Sequence, residues 1–201
     1  EKIHQTILNQ QINKEITFDP FKKRISKEEY FDNFQKIQQH IQLGDIYEMN
    51  YCQEFYNESF HANPASAFIK LMEYSPMPFS AFYRNSSKFL LSASPERYIK
   101  KENTTVTSQP IKGTIRRSQN NAGIDFKQKL EQSNKDLAEN VMIVDLVRND
   151  LSRTAIKNSV KVDEMCRVYE FPTVYQMIST IRSEVTENTN HSEIIKTTFP
   201  M

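Results

Sequence analysis

The sequence predicts an α+β fold, with mostly antiparallel sheets and flanking helices. Three observations carry that prediction. Short β-branched and aromatic runs are grouped together rather than alternating with helical patterns, which is the order of an α+β chain. Helical periodicity with capping signals stands on either side of those runs. Only three of the 201 residues are glycine, where average usage would give roughly 14. Gly44, Gly113 and Gly123 are too far apart to form the glycine-clustered phosphate cradle of a Rossmann or P-loop fold.

The elements follow in order. Residues 1–25 are polar and rich in Gln, Asn and Lys, which suits an edge segment or a tail. Ser26 and Glu29 make a capping-box pattern, and Phe31, Phe34, Ile37 and Ile41 recur at helical spacing. Gly44 follows where a left-handed residue ends a helix. Residues 46–55 read as a strand and 64–72 as a short helix led by Pro64. Strands at 79–83, 89–93, 97–101 and 104–107 then suggest antiparallel hairpins.

Helical character returns over 125–151, as two helices broken near Gln132-Ser133-Asn134. Val141 to Val147 is apolar all round except for Asp145. That predicts a buried helix whose Asp145 needs a partner, Arg148 or a backbone donor. Segments 156–162, 166–171 and 174–185 come next, the last strongly β-prone, and a helix over 192–198 completes the order.

Charge narrows the function. Lys and Arg total 26 against 25 acidic residues, so no basic footprint for nucleic acid exists. No apolar run reaches the roughly 20 residues of a membrane span, and Glu1-Lys2-Ile3-His4 does not begin a signal peptide. Cys52 and Cys166 are lone and distant, which fits reduced thiols and a cytoplasmic setting. His4, His40, His61 and His191 show no metal-ligand spacing, so carboxylates must hold any divalent ion.

Three motifs could carry chemistry. In Ser94-Pro95-Glu96-Arg97-Tyr98, proline fixes the backbone before Glu96. Glu96 is either a positioned general acid or base, or half of a surface Glu–Arg pair on a turn. In Gln109-Pro110-Ile111-Lys112-Gly113-Thr114, a scarce glycine answers a backbone need such as positive φ or close approach to a ligand. Lys112 beside it is either a nucleophilic amine or a solvated lysine on a hairpin turn. On the helix from Lys135 onward, Asp136 and Glu139 stand three residues apart and project from the same side of its first turn. They either hold Mg²⁺ among waters and substrate oxygens or simply decorate a helix N-terminus.

Together and in this order, the motifs are specific. The chain resembles the chorismate-utilising enzymes, the family of anthranilate, aminodeoxychorismate, isochorismate and salicylate synthases. The matching stretches are Gly44-Asp45-Ile46-Tyr47, residues 94–98, 110–114 and 138–153, and Val174-Tyr175-Gln176-Met177-Ile178-Ser179-Thr180. They imply one partial chorismate-binding domain over 1–201 with N-terminal and C-terminal portions missing, and little turnover by these residues alone.

The resemblance also implies roles. Members that make anthranilate carry alanine between Pro-Ile and Gly-Thr, and members that make 4-amino-4-deoxychorismate carry lysine, as this chain does at Lys112. By resemblance, Lys112 is the nucleophile toward chorismate and Glu96 the general acid. Glu139 matches the Mg²⁺ ligand, with Asp136 behind it. Gly113 and Thr114 line the substrate wall, and Gln176 stands where many members have a histidine, keeping hydrogen bonding but no proton uptake. The implied partner is a glutaminase that supplies ammonia. An anthranilate-forming enzyme and a non-catalytic module of the same fold are the alternatives.

Overall fold

The computed structural model describes residues 19–117 and 123–199. The polar residues 1–18 lie outside the described residues. The chain divides into two compact units, Glu1–Ala67 and Phe68–Met201.

In the first unit, β1 (Lys22–Lys23) pairs antiparallel with β2 (Phe55–Tyr56), and α1 (Lys27–Leu43) lies between them in sequence. Ser26 Oγ caps α1 by accepting from the Glu29 amide at 3.0 Å, and Gly44 ends it at φ 79°. The helix therefore forms as its caps predict. Its apolar stripe is largely open, however, with Phe31, Phe34 and Ile41 all exposed. The half-buried side of α1 is instead aromatic and polar: Tyr30 stacks on Tyr51 at 4.9 Å, and Asn33 donates to the Tyr51 hydroxyl at 2.8 Å.

The strand expected over 46–55 shrinks to the two residues of β2. Side chains tie the preceding residues down locally in place of a ladder. Tyr30 donates to the Tyr51 carbonyl at 3.3 Å, and Gln53 donates to the Ile25 carbonyl at 3.3 Å. Helix α2 (Pro64–Tyr74) crosses from one unit to the other, and Asn63 caps its first turn through the amides of Ala65 and Ser66.

The second unit opens with a hairpin, β3 (Ala81–Asn85) and β4 (Lys88–Ser92), in which Phe82 packs against Phe68 and Phe89. A five-stranded antiparallel sheet follows: β5 (Arg97–Glu102), β6 (Thr105–Gln109), β7 (Ile111–Arg116), β8 (Lys161–Glu170) and β9 (Val174–Glu184). Strand β9 is central. β8 runs along one side of it, while β6 and β7 share the other and are separated by Pro110, which has no N–H to offer a ladder. The segments 156–162 and 166–171 resolve into the single strand β8, with register shifts between Val162 and Glu164 and between Glu164 and Arg167. Cys166 sits in the second shift at φ 52°.

Helices α3 (Gly123–Glu131), α4 (Asn134–Ser152) and α5 (His191–Thr198) supply the apolar cover. Ile143, Val144, Val147 and Leu151 of α4 and Ile194 of α5 cluster with Val106, Ile181 and Val185. Leu130 of α3 clusters with Val168, Tyr175 and Met177. The break between α3 and α4 falls where the sequence places it, with Ser133 capping α4. Asp145 is a correction: it is exposed, because α4 buries one stripe rather than its whole circumference. Arg148 does pair with it, at 3.2 Å. The buried carboxylate of this helix is Asp150, 3.3 Å from Arg153.

Candidate active site

The site is built where β7 departs from regular pairing. Ile111 pairs with Ile178 and Thr114 with Gln176. Lys112 and Gly113 together therefore oppose the single residue Met177, which makes a β-bulge. Lys112 thus lies on a strand rather than on the hairpin turn that its proline and glycine neighbours allow. A proline behind and a glycine within the bulge let the backbone leave the ladder for just these residues.

Gly113 shows the positive φ anticipated for it, and it makes a close approach to helix α4. Its φ is 91°, and an added Cβ would lie 2.9 Å from Asp136 Cβ and 3.2 Å from Leu130 Cδ1. The absence of a side chain lets the bulge rest directly on the first turn of α4. Asp136 there accepts from the Ser133 hydroxyl, while the Ser133 oxygen takes the Asp136 amide at 3.3 Å. Asp136 is therefore a wall of the bulge and part of the helix cap at once.

Glu96 reaches the start of β7, just before the bulge. The Ser94 hydroxyl accepts from the Glu96 amide at 3.2 Å, shaping the Ser94-Pro95 turn, and a Glu96 carboxylate oxygen accepts from the Ile111 amide at 3.0 Å. The structure thus brings Glu96 to the residue beside Lys112. Glu139 is half-buried on α4, with Lys135 Nζ at 3.8 Å.

Asp136 and Glu139 fit Mg²⁺ as a partial donor set. Both are hard oxygen ligands, and this ion commonly takes one or two carboxylates and fills its octahedron with waters and substrate oxygens. Among the described residues, no three His, Cys, Asp or Glu side chains are grouped to hold a metal by themselves. The oxygens of a substrate would have to complete such a site.

Thr114 and Tyr169 flank Gln176 in register on the sheet face away from the helices. Gln176 is 7% exposed, and its Oε1 has no hydrogen-bond partner among the described residues. The same face carries a network that the sequence reading did not single out. Arg97 donates to Gln109 at 2.8 Å, Gln109 to the Thr180 hydroxyl at 3.1 Å, and Thr180 to Glu164 at 3.3 Å. Tyr169 and Arg167 also donate to Glu164. The Tyr169 hydrogen bond, more than the Arg167 charge, holds the Glu164 carboxyl below its usual range and keeps the Tyr169 hydroxyl above its own. The polar alternation of Gln176, Thr180 and Arg182 along β9 is the sequence signal for this face.

Comparison with known proteins identifies the family and the fold. The family model described as chorismate binding enzyme matches residues 4–201. The chain is 38% identical over 182 residues to aminodeoxychorismate synthase component 1 of Escherichia coli, covering 90% of this chain and 40% of that protein. It is 29% identical over 190 residues to anthranilate synthase component 1 of Aquifex aeolicus, covering 94% of this chain and 38% of that one. The fold matches anthranilate synthase component I from Streptococcus pneumoniae with a TM-score of 0.76 at 23% identity, over 99% of this chain and 45% of the other. The chain therefore spans less than half the length of each of these proteins. It belongs to the chorismate-binding enzymes.

Proposed function

We propose that the protein carrying this chain is the chorismate-aminating component of an aminodeoxychorismate synthase. It converts chorismate and ammonia to 4-amino-4-deoxychorismate, toward para-aminobenzoate and folate, and draws its ammonia from a glutaminase partner. The observation that carries this reading is Lys112 on the β7 bulge, with the Glu96 carboxylate bonded to the adjoining Ile111 amide at 3.0 Å. The second support is the 38% identity to a protein of that name.

The chemistry assigned to the residues balances. Lys112 Nζ bonds to C2 of chorismate, the ring double bonds shift, and the C4–O bond breaks. Glu96 gives its proton to the departing hydroxyl, which leaves as water. Ammonia bonds to C4, the double bonds shift back, and the C2–N bond breaks to return the amine of Lys112. The proton shed by the incoming ammonium reprotonates Glu96. When bound, Mg²⁺ held by Glu139, with Asp136 beside it, would neutralise the ring carboxylate near the approaching amine. Gly113 and Thr114 form the wall along which the ring lies, and Gln176 offers a neutral amide to the substrate.

The test uses the full-length protein with chorismate, ammonia and Mg²⁺, and identifies the amine formed. The expected product is 4-amino-4-deoxychorismate; anthranilate as the main product would overturn the use made of Lys112. Lys112→Ala is expected to lower the rate by about 100-fold or more, the scale on which one essential group acts. An unchanged rate would remove the assigned role.

A further inference from the structure

Asn140 occupies a core position of α4, in line with Ile143, Val144, Val147 and Leu151, and is 1% exposed. A primary amide there is costly unless every hydrogen-bonding position is used. All four are used. Asn140 Nδ2 donates to the backbone carbonyls of Lys112 at 3.4 Å and Met177 at 3.1 Å. Its Oδ1 accepts from the Ser179 hydroxyl at 2.5 Å and from Cys166 Sγ at 3.6 Å. Ser179 Oγ in turn accepts the Cys166 amide at 2.9 Å.

None of these partners belongs to the amide's own helix. Lys112 is in the bulge of β7 and Cys166 in the second irregularity of β8, where its φ is 52°. Met177 and Ser179 are the residues of β9 that lie between the two. A single side chain therefore ties the β7 bulge to the second irregularity of β8 across the central strand. It replaces the ladder bonds that bulged residues forgo.

We propose that Asn140 is a positioning residue, which fixes the backbone of Lys112 and couples the β7 bulge to the β8 bulge through Ser179 and Cys166. The consequence for turnover rests on the reading of Lys112 as nucleophile; the coupling of the two bulges does not. Misplacing a reacting group by a fraction of an ångström to an ångström slows chemistry far more than binding.

The experiment uses the full-length protein and two variants, Asn140→Ala and Ser179→Ala. Asn140→Ala is expected to lower kcat by about tenfold to a hundredfold, with KM for chorismate held within about threefold. In a Lys112→Ala background the same change should alter the residual rate by less than about twofold. Amide hydrogen exchange is expected to rise about tenfold or more in both 111–114 and 164–167, with β5 unchanged. Ser179→Ala keeps the bonds to Lys112 and Met177, so it guards against a variant that fails to fold; it should raise exchange in 164–167 more than in 111–114.

Exchange that rises in neither segment, or a kcat that holds in Asn140→Ala while Lys112→Ala is inactive, would overturn the proposal. So would equal losses from Asn140→Ala with and without Lys112. A full rate in Lys112→Ala overturns the nucleophile reading instead, and the exchange result then decides the coupling alone.

Discussion

Gly113→Ala is the substitution whose cost the structure specifies best. The φ of 91° lies in the region that L-residues avoid, and occupying it with a Cβ costs about 1–2 kcal/mol. The new methyl would lie 2.9 Å from Asp136 Cβ, a helix side-chain atom one bond from backbone, so no flexible side-chain end can move away. Forcing a methyl into packed surroundings adds about 1–3 kcal/mol. The sum, about 2–5 kcal/mol, is a large share of the 5–15 kcal/mol that holds a typical domain. Relaxation must push the bulge off α4, and Lys112 moves with it. Chemical denaturation of the full-length protein, read beside chorismate amination, measures both consequences. Stability within about 0.5 kcal/mol of the parent together with full activity would refute the claim that this contact sets the bulge.

Two further predictions concern charge. Burial raises the Asp150 carboxyl above its usual value and Arg153 only partly opposes this, so the folded state holds that proton more tightly than the unfolded chain. Stability from this group therefore falls as pH rises from about 4 through the raised value. Asp150→Asn should flatten that slope and leave the protein at least as stable at pH 7, and denaturation at pH 4, 5.5 and 7 checks it. Glu164 is the opposite case: its lowered carboxyl adds stability above the unfolded value that is lost as pH falls through the folded one. Tyr169→Phe removes the largest cause and should cost about 1 kcal/mol at neutral pH; a cost undiminished at pH 3 would contradict the assignment.

The elements that the sequence predicts well are those whose signals are local. Ser26, Gly44, Ser133 and the 132–134 break act through their own neighbours, and the helices they bound form where expected. The failures are those in which a distant partner decides. Residues 46–54 alternate plausibly for a strand, yet no described strand pairs with them, and they bond to Tyr30 and the Ile25 carbonyl instead. Asp145 lies in an apolar run, but only the packing of α4 on one sheet face determines which side is buried. The site shows the same division. Glycine scarcity pointed to Gly113, and motif order pointed to Glu96, Lys112 and Glu139. Asn140 was visible only as a letter in a motif, because its four partners lie 26, 28, 37 and 39 residues away. One local sign was available: a polar residue on the stripe that continues as Ile143, Val144 and Val147.

The two faces of β9 explain why this sheet can pair a firm scaffold with a reactive edge. Tyr175, Met177, Ile181 and Val185 turn toward the helices and are buried there, which anchors the strand through apolar area. Gln176 and Thr180 point the other way, into a surface of hydrogen bonds. On that surface Thr180, Gln109 and Glu164 satisfy one another, and a satisfied network is rigid. The Gln176 carbonyl is the exception, without a partner among the described residues and almost wholly buried. An unmet buried acceptor costs about 1–3 kcal/mol, and a donor on a bound substrate would remove that cost. Because an amide neither gains nor loses a proton at neutral pH, this position can orient a substrate but cannot titrate. In the proposed reaction, proton transfer must then fall to Glu96 and Lys112 at the bulge, so the pH–rate profile should carry no histidine-like limb from the position of Gln176.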